Sequence, residues 1–164
     1  MRILPPLCAL VIVLSGCKST PPPETETVIG RLTGPGIAPS NAQVFTTPLT
    51  GGGVKVYTDV GRGVRAVTLN PYNTIRLITA IETTLVDWKA KTESPPFKET
   101  LMGGAAEFQG TNPFSLQLAK TPQMVEPVFL LEVGYYDATA ALVLNRQNAS
   151  IWVRKLRAIT GTGG

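Results

Sequence analysis

The chain reads as an α+β protein: a mostly antiparallel sheet carrying one amphipathic helix over residues 71–91. Three observations predict this class. Sixteen glycines and fourteen prolines in 164 residues punctuate the chain and favour many short strands and turns over long helices. Val54, Val56, Thr58 and Val60 alternate with Lys55, Tyr57 and Asp59, the period of a half-buried strand. Leu77, Ile78, Ile81, Leu85 and Trp88 instead fall within about 100° on a helical wheel. An all-β sandwich is the alternative, because Thr74, Ile75, Ile78, Thr79, Ile81, Thr83, Thr84 and Val86 are β-branched and would suit two strands in place of the helix.

In order along the domain, strands are expected at 28–32 and 43–47, with Gly34-Pro35-Gly36 and Pro39-Ser40-Asn41 marking a loop between them. The 54–60 strand returns at 64–69 around Gly61-Arg62-Gly63, a turn without the spacing of a phosphate-binding loop. Asn70 then supplies an N-cap and Pro71 the first helical position, while Pro95-Pro96 ends the element. Beyond Gly103-Gly104, strands are expected at 105–109, 114–118, 128–136, 139–144 and 150–156. The 128–136 run is apolar nearly throughout, as in a central strand covered on both faces. Asn145-Arg146-Gln147-Asn148 reads as a turn, so the last three strands form a meander. No internal repeat is visible, and residues 161–164 read as a flexible tail.

Composition narrows the function. Hydrophobic residues make up 43% of the chain and charged residues 16%, which suits a packed core rather than a disordered chain. The net charge is +4, falling to +3 without Arg2, the one charged residue among the first sixteen. Without a dense Lys/Arg footprint, nucleic acid is not an expected partner. Histidine is absent, which excludes Ser-His-Asp and Cys-His catalysis and His-based zinc sites. The acidic residues Asp59, Glu82, Asp87, Glu93, Glu99, Glu107, Glu126, Glu132 and Asp137 form no calcium loop, and no metal site is expected. Glu132 and Asp137 are the best candidates for a carboxylate pair, although the expectation is no enzyme. Asn148-Ala149-Ser150 matches a glycosylation sequon and is read as a turn.

The first seventeen residues carry the clearest chemistry. Arg2 supplies one positive charge, and residues 3–14 are almost wholly apolar, interrupted by Pro5 and Pro6. That run is shorter than the roughly 20 residues of a membrane-spanning helix and has the length of a signal-peptide core. Leu14-Ser15-Gly16-Cys17 closely resembles the lipobox of bacterial lipoproteins. A thiol is the nucleophile that thioether attachment of a diacylglyceryl group requires. The resemblance implies cleavage before Cys17, with covalent lipid (palmitate-type acyl chains) on that residue and no other cofactor. Cys8 leaves with the signal segment, so the mature chain can form no internal disulfide.

Lys18 stands where Asp tends to retain such proteins in the inner membrane, which points to the outer membrane facing the periplasm. Lys18 to Thr27, with Pro21-Pro22-Pro23, reads as an extended tether, and a Pro-rich peptide ligand is the alternative. The expected organisation is therefore a signal peptide at 1–16, a lipidated tether at 17–27 and one domain at 28–160. The expected function is a non-catalytic accessory or assembly component of a larger envelope complex, with an envelope protein as partner. The alternative is a glycan- or lipid-binding module. Its candidate residues are Trp152, Arg154, Lys155 and Arg157, in a stretch that also holds Arg146 and has no acidic side chain after Asp137. The bland reading of that stretch is a strand edge kept from aggregating by charge.

Overall fold

The computed structural model describes residues 27–34, 37–59, 64–103, 114–135 and 138–161. The protein is mostly antiparallel sheet. Eight strands form one curled sheet: β1 (Val28–Gly34), β2 (Ile37–Pro48), β3 (Val54–Asp59), β4 (Val64–Leu69), β5 (Phe97–Gly103), β6 (Phe114–Lys120), β7 (Val128–Tyr135) and β8 (Ala138–Leu144). Their spatial order is β4-β3-β2-β1-β8-β7-β6-β5. Three helices accompany them: α1 (Pro71–Val86), α2 (Trp88–Glu93) and α3 (Arg146–Thr160).

Period-two alternation puts one set of side chains on the helix-covered face. The register pairs Val28 with Val44, Val56 with Val67, Leu118 with Phe129, and Leu131 with both Leu116 and Leu142. All of these are buried. α1 and α3 pack side by side on this face and add Leu77, Ile78, Ile81, Ala149, Trp152, Val153 and Leu156 to the same core. Burial of this size is the main stabilising term.

Several expectations need correction. The segment 150–156 is not a strand: it belongs to α3, and Asn145–Asn148 is that helix's cap and first turn. The Asn145 side chain accepts the Asn148 N–H at 2.9 Å, and Ala149, Trp152, Val153 and Leu156 recur at helical spacing as its buried stripe. That period outweighs the strand-like look of Ile151-Trp152-Val153. Among the described residues there are thus three helices rather than one, and β7 and β8 continue a meander from β5 and β6 instead of beginning one that 150–156 completes.

The helical stretch from Pro71 also differs from a single 71–91 element. α1 stops at Val86, and the chain bends at Asp87 into α2. The bend turns Trp88 inward, where its ring stacks on Phe129 at 5.8 Å, and leaves Val86 85% exposed. The threonines of α1 are accommodated by local bonds. Thr74 and Thr84 hydroxyls donate to the carbonyls of Asn70 and Ala80, both at 2.8 Å, which satisfies them inside a helix.

β5 was not expected from the sequence, and β2 is longer than 43–47. Pro39, read as part of a loop, lies within β2 next to the irregularity where the β1 register shifts between Leu32 and Gly34, a place where a missing N–H is tolerated. The expected strand at 105–109 and the Gly61-Arg62-Gly63 turn lie outside the described residues.

The strand-and-helix order of the described residues also repeats in outline, apart from α2. β1–β4 followed by α1 is matched by β5–β8 followed by α3. Each unit ends in a buried Leu, a capping Asn and a second Asn three residues on: Leu69-Asn70-Pro71-Tyr72-Asn73 and Leu144-Asn145-Arg146-Gln147-Asn148. In both, the first Asn side chain accepts the backbone N–H of the second.

Trp152 tests this packing most directly. It is fully buried, and its indole N–H donates to the Thr46 hydroxyl on β2 at 3.0 Å. Trp152→Ala should lower unfolding free energy by about 3–5 kcal/mol, read from the midpoint of denaturant unfolding followed by circular dichroism. A loss below about 1 kcal/mol would mean that α3 is not packed as described.

Candidate functional site

Among the described residues, one concavity lies where α3 starts. A cleft of about 560 Å³ is lined by Glu126 from the β6–β7 connection and by Asn145, Arg146, Gln147, Ser150, Ile151 and Arg154. A second hollow of about 320 Å³ adjoins it, sharing Glu126 and Arg146 and reaching Leu85, Val86, Trp88, Lys89, Thr92 and Glu93. Exposed Val86 and Val125, each 85% accessible, belong to the same two segments.

Local chemistry explains how these residues are held. Arg146 is the first residue of α3, and neither α3 nor α1 has an acidic side chain in its first turn. A cation at the positive end of the helix dipole is locally unfavourable. Arg146 is partly compensated by Trp88, whose ring lies 5.8 Å from the guanidinium carbon. The Trp88 indole N–H itself is buried without a hydrogen-bond partner, as are the Thr58 hydroxyl and the Gln117 side-chain carbonyl. Asn148 fastens the cleft to the sheet. Its side-chain oxygen accepts the Ile29 N–H of β1 at 3.1 Å, beyond the point where β8 has ended at Leu144 and ceased to pair.

The expected binding residues do not form one surface. Trp152 is a core residue facing the sheet, so it offers no stacking face to a ligand. Arg154 is exposed and lines the cleft, and Lys155 is half-buried. Arg157 turns toward α1 and clasps Glu82 through two bonds, Nε to Oε1 at 3.0 Å and Nη2 to Oε2 at 2.6 Å. Arg146 and Arg154 both line the cleft, and only the second of them was among the expected binders. The Asn cap and the helical spacing of 149, 152, 153 and 156 were the signals that could have separated Trp152 from Arg154.

Glu132 is engaged on the other face of the sheet. One of its oxygens accepts from Gln117 Nε2 at 2.7 Å and from the Ser115 hydroxyl at 3.1 Å, and Lys98 Nζ lies 3.9 Å from the other. Ser115 and Glu132 are register partners on β6 and β7, so the cluster follows directly from strand pairing. Its supposed partner Asp137 lies outside the described residues, as do Cys8, Cys17, Lys18 and the Pro21-Pro22-Pro23 run. Among the described residues, no three Asp, Glu or Cys side chains converge as a metal site, and no helix is long and apolar enough to cross a membrane.

Across the end of the sheet, α2 is tied down by Lys120, which donates to the carbonyls of Thr92 and, at 2.8 Å, Ser94. Lys91 pairs with Glu99 beside it. No family model, curated protein or solved structure matches this chain.

Two measurements follow. The Glu82 carboxyl is held below its usual value of 4.5, chiefly by the hydrogen bond from Arg157 and also by its charge, against an opposing effect of burial. A depressed carboxyl contributes stability above its unfolded pKa, and that contribution is lost as pH falls through the lowered folded value. The stability difference between wild type and Glu82→Gln should therefore be constant above about pH 6 and shrink below about pH 4.5. Parallel unfolding curves across that range check it; a difference that grows on acidification would refute the pairing. Separately, Asn148→Ala should cost about 1 kcal/mol and speed hydrogen exchange at the Ile29 amide. Unchanged exchange there would mean the β1 N–H has another acceptor.

Proposed function

We propose that this chain is a bacterial envelope lipoprotein, anchored by lipid on Cys17, whose domain is a non-catalytic accessory or assembly component of a larger envelope complex. The observation that carries the reading is Leu14-Ser15-Gly16-Cys17 directly after a short apolar run with a positive N-terminus. The ten residues between Cys17 and Val28 span at most about 35 Å at 3.3–3.6 Å each, which keeps the domain near the bilayer. Lys18 favours the outer membrane, with the domain in the periplasm.

The cleft is consistent with this role. It is open and mixes cations with Glu126 and an isoleucine. Such a surface suits a polypeptide or a head group better than turnover of an enclosed small substrate. Within the domain, α1 acts as an amphipathic cover for the sheet. A second reading, binding of anionic lipid or glycan, is favoured by the exposure of Arg154 near Lys155, without Trp152.

Cys17→Ser decides the anchor. Wild type should fractionate with membranes and yield an N-terminal peptide bearing acyl chains. At about 0.8 kcal/mol per buried methylene, two or three such chains hold a protein stably where one does not. The serine variant should remain unlipidated and unprocessed. An unmodified Cys17, or wild type found soluble, would overturn the reading.

A further inference from the structure

We propose that the outward face of α1 pairs with the same face of a second copy of this chain, the two helices running antiparallel about a two-fold axis at Thr79.

The first argument is composition. Tyr72, Ile75, Thr79, Thr83 and Val86 fall within about 80° of one another on a 3.6-residue wheel. They lie opposite the core stripe of Leu77, Ile78 and Ile81. All five are exposed, Tyr72 by 69%, Ile75 by 38% and Val86 by 85%. The outward face of a surface helix ordinarily carries charge. α2 follows that pattern with Lys89 and Glu93, and α3 with Arg154. The charges of α1, Arg76 and Glu82, only flank its stripe. Arg76 lies over the Tyr72 ring at 5.7 Å, and Glu82 is held by Arg157.

Register gives the second argument. A two-fold contact requires that where residue i meets the partner's residue j, residue j meets the partner's residue i. The stripe has that symmetry. Tyr72 and Val86 stand seven residues either side of Thr79, and Ile75 and Thr83 stand four. An antiparallel pair therefore sets Tyr72 on the partner's Val86, Ile75 on the partner's Thr83, and Thr79 on the partner's Thr79. A ring packs on a valine and an isoleucine on a threonine methyl. The small residue at the axis allows the close approach of about 8–10 Å that packed helices adopt. No charge is buried, so no desolvation penalty opposes the pairing.

Area sets the strength. Tyr72, Ile75 and Val86 expose roughly 300 Å² per copy. A pair that also covers the threonines removes roughly 900 Å² in total, less than the about 1,200 Å² at which specific stable interfaces begin. The pairing is therefore weak between free molecules and gains where copies are concentrated. Anchors in one bilayer concentrate them, so its strength, though not its register, rests on the lipoprotein reading. The bilayer itself is a poorer occupant. Interfacial helices set a Lys/Arg-rich face beside the apolar one, whereas α1 turns its other face into the core.

The experiment reads disulfide bridges formed by the mature chain under mild oxidation, in membranes and again as purified protein at about 0.5 mM. Thr79→Cys should bridge to itself. Tyr72→Cys and Val86→Cys should bridge only when the two variants are mixed. Each lies about 21 Å along the helix from its own counterpart, and a bridge needs Cα atoms within about 7 Å. Lys89→Cys, exposed but off the stripe, should stay unbridged. Adding Ile75→Lys with Thr83→Lys should lower the Thr79→Cys yield about tenfold, and Ile75→Lys with Thr83→Glu should restore it. Thermal unfolding checks the fold of each variant. An unbridged Thr79→Cys in both settings, or Tyr72→Cys bridging to itself as readily as to Val86→Cys, would overturn the proposal. So would lysines in the stripe that change binding to phosphatidylglycerol vesicles and leave bridging unchanged, which assigns the stripe to the bilayer. Mass spectrometry locates each bridge, so an unmodified or bridged Cys17 counts against the anchor alone.

Discussion

The first and last strands of the described residues, β1 and β8, meet in the middle of the sheet, and the rest of the structure depends on that joint. Its paired residues are Arg31 with Val143, Leu32 with Leu142 and Thr33 with Ala141. Hydrogen bonds over so short a stretch cannot by themselves hold two four-stranded units together, because each contributes only about 1 kcal/mol net. Side-chain packing reinforces them. Gly30 lacks a Cβ, and an added one would lie 2.6 Å from Leu142. The two leucines Leu142 and Leu144 fill the room that this glycine leaves and carry the core from one unit into the other.

The helices span the same joint. α1 ends the first unit and α3 the second, yet they pack against each other, and α3 crosses onto β1 and β2 of the first unit through Trp152 and Thr46. Glu82 and Arg157 tie the solvent side of the helix pair. A curled sheet with a helix pair on one face leaves its other face to polar arrangements such as Ser115, Gln117 and Glu132.

The same geometry explains why the cleft lies where it does. β8 must stop pairing for the chain to become α3, and the Ile29 N–H left behind is taken by Asn148. The start of α3, the first residues of β1 and the β6–β7 connection therefore gather at one end of the molecule. The corresponding Asn73 of the first unit is 2% exposed, whereas Asn148 is half-buried, so the Asn motif is closed over in one half and more open in the other. Arg146 stands at the position that Pro71 holds in the first unit.

Local pattern determined much of this protein. Strand alternation in 54–59, the Asn70-Pro71 start and the lipobox-like run up to Cys17 each depend on residues adjacent in sequence, so they are readable without the fold. The helical stripe of Ala149, Trp152, Val153 and Leu156 was equally present, but the intervening Ile151 blurs it toward a strand. β5 was obscured for a different reason. Lys98, Glu99 and Thr100 are exposed on an edge strand, so only Met102 is buried and no alternation appears. Tertiary structure alone decided the pairing of β1 with β8 across more than a hundred residues, and the separation of Trp152, Arg154 and Arg157 into core, cleft and helix-pair contact. Those outcomes depend on which face of α3 the sheet buries, and that is a matter of long-range packing that neighbouring residues do not encode.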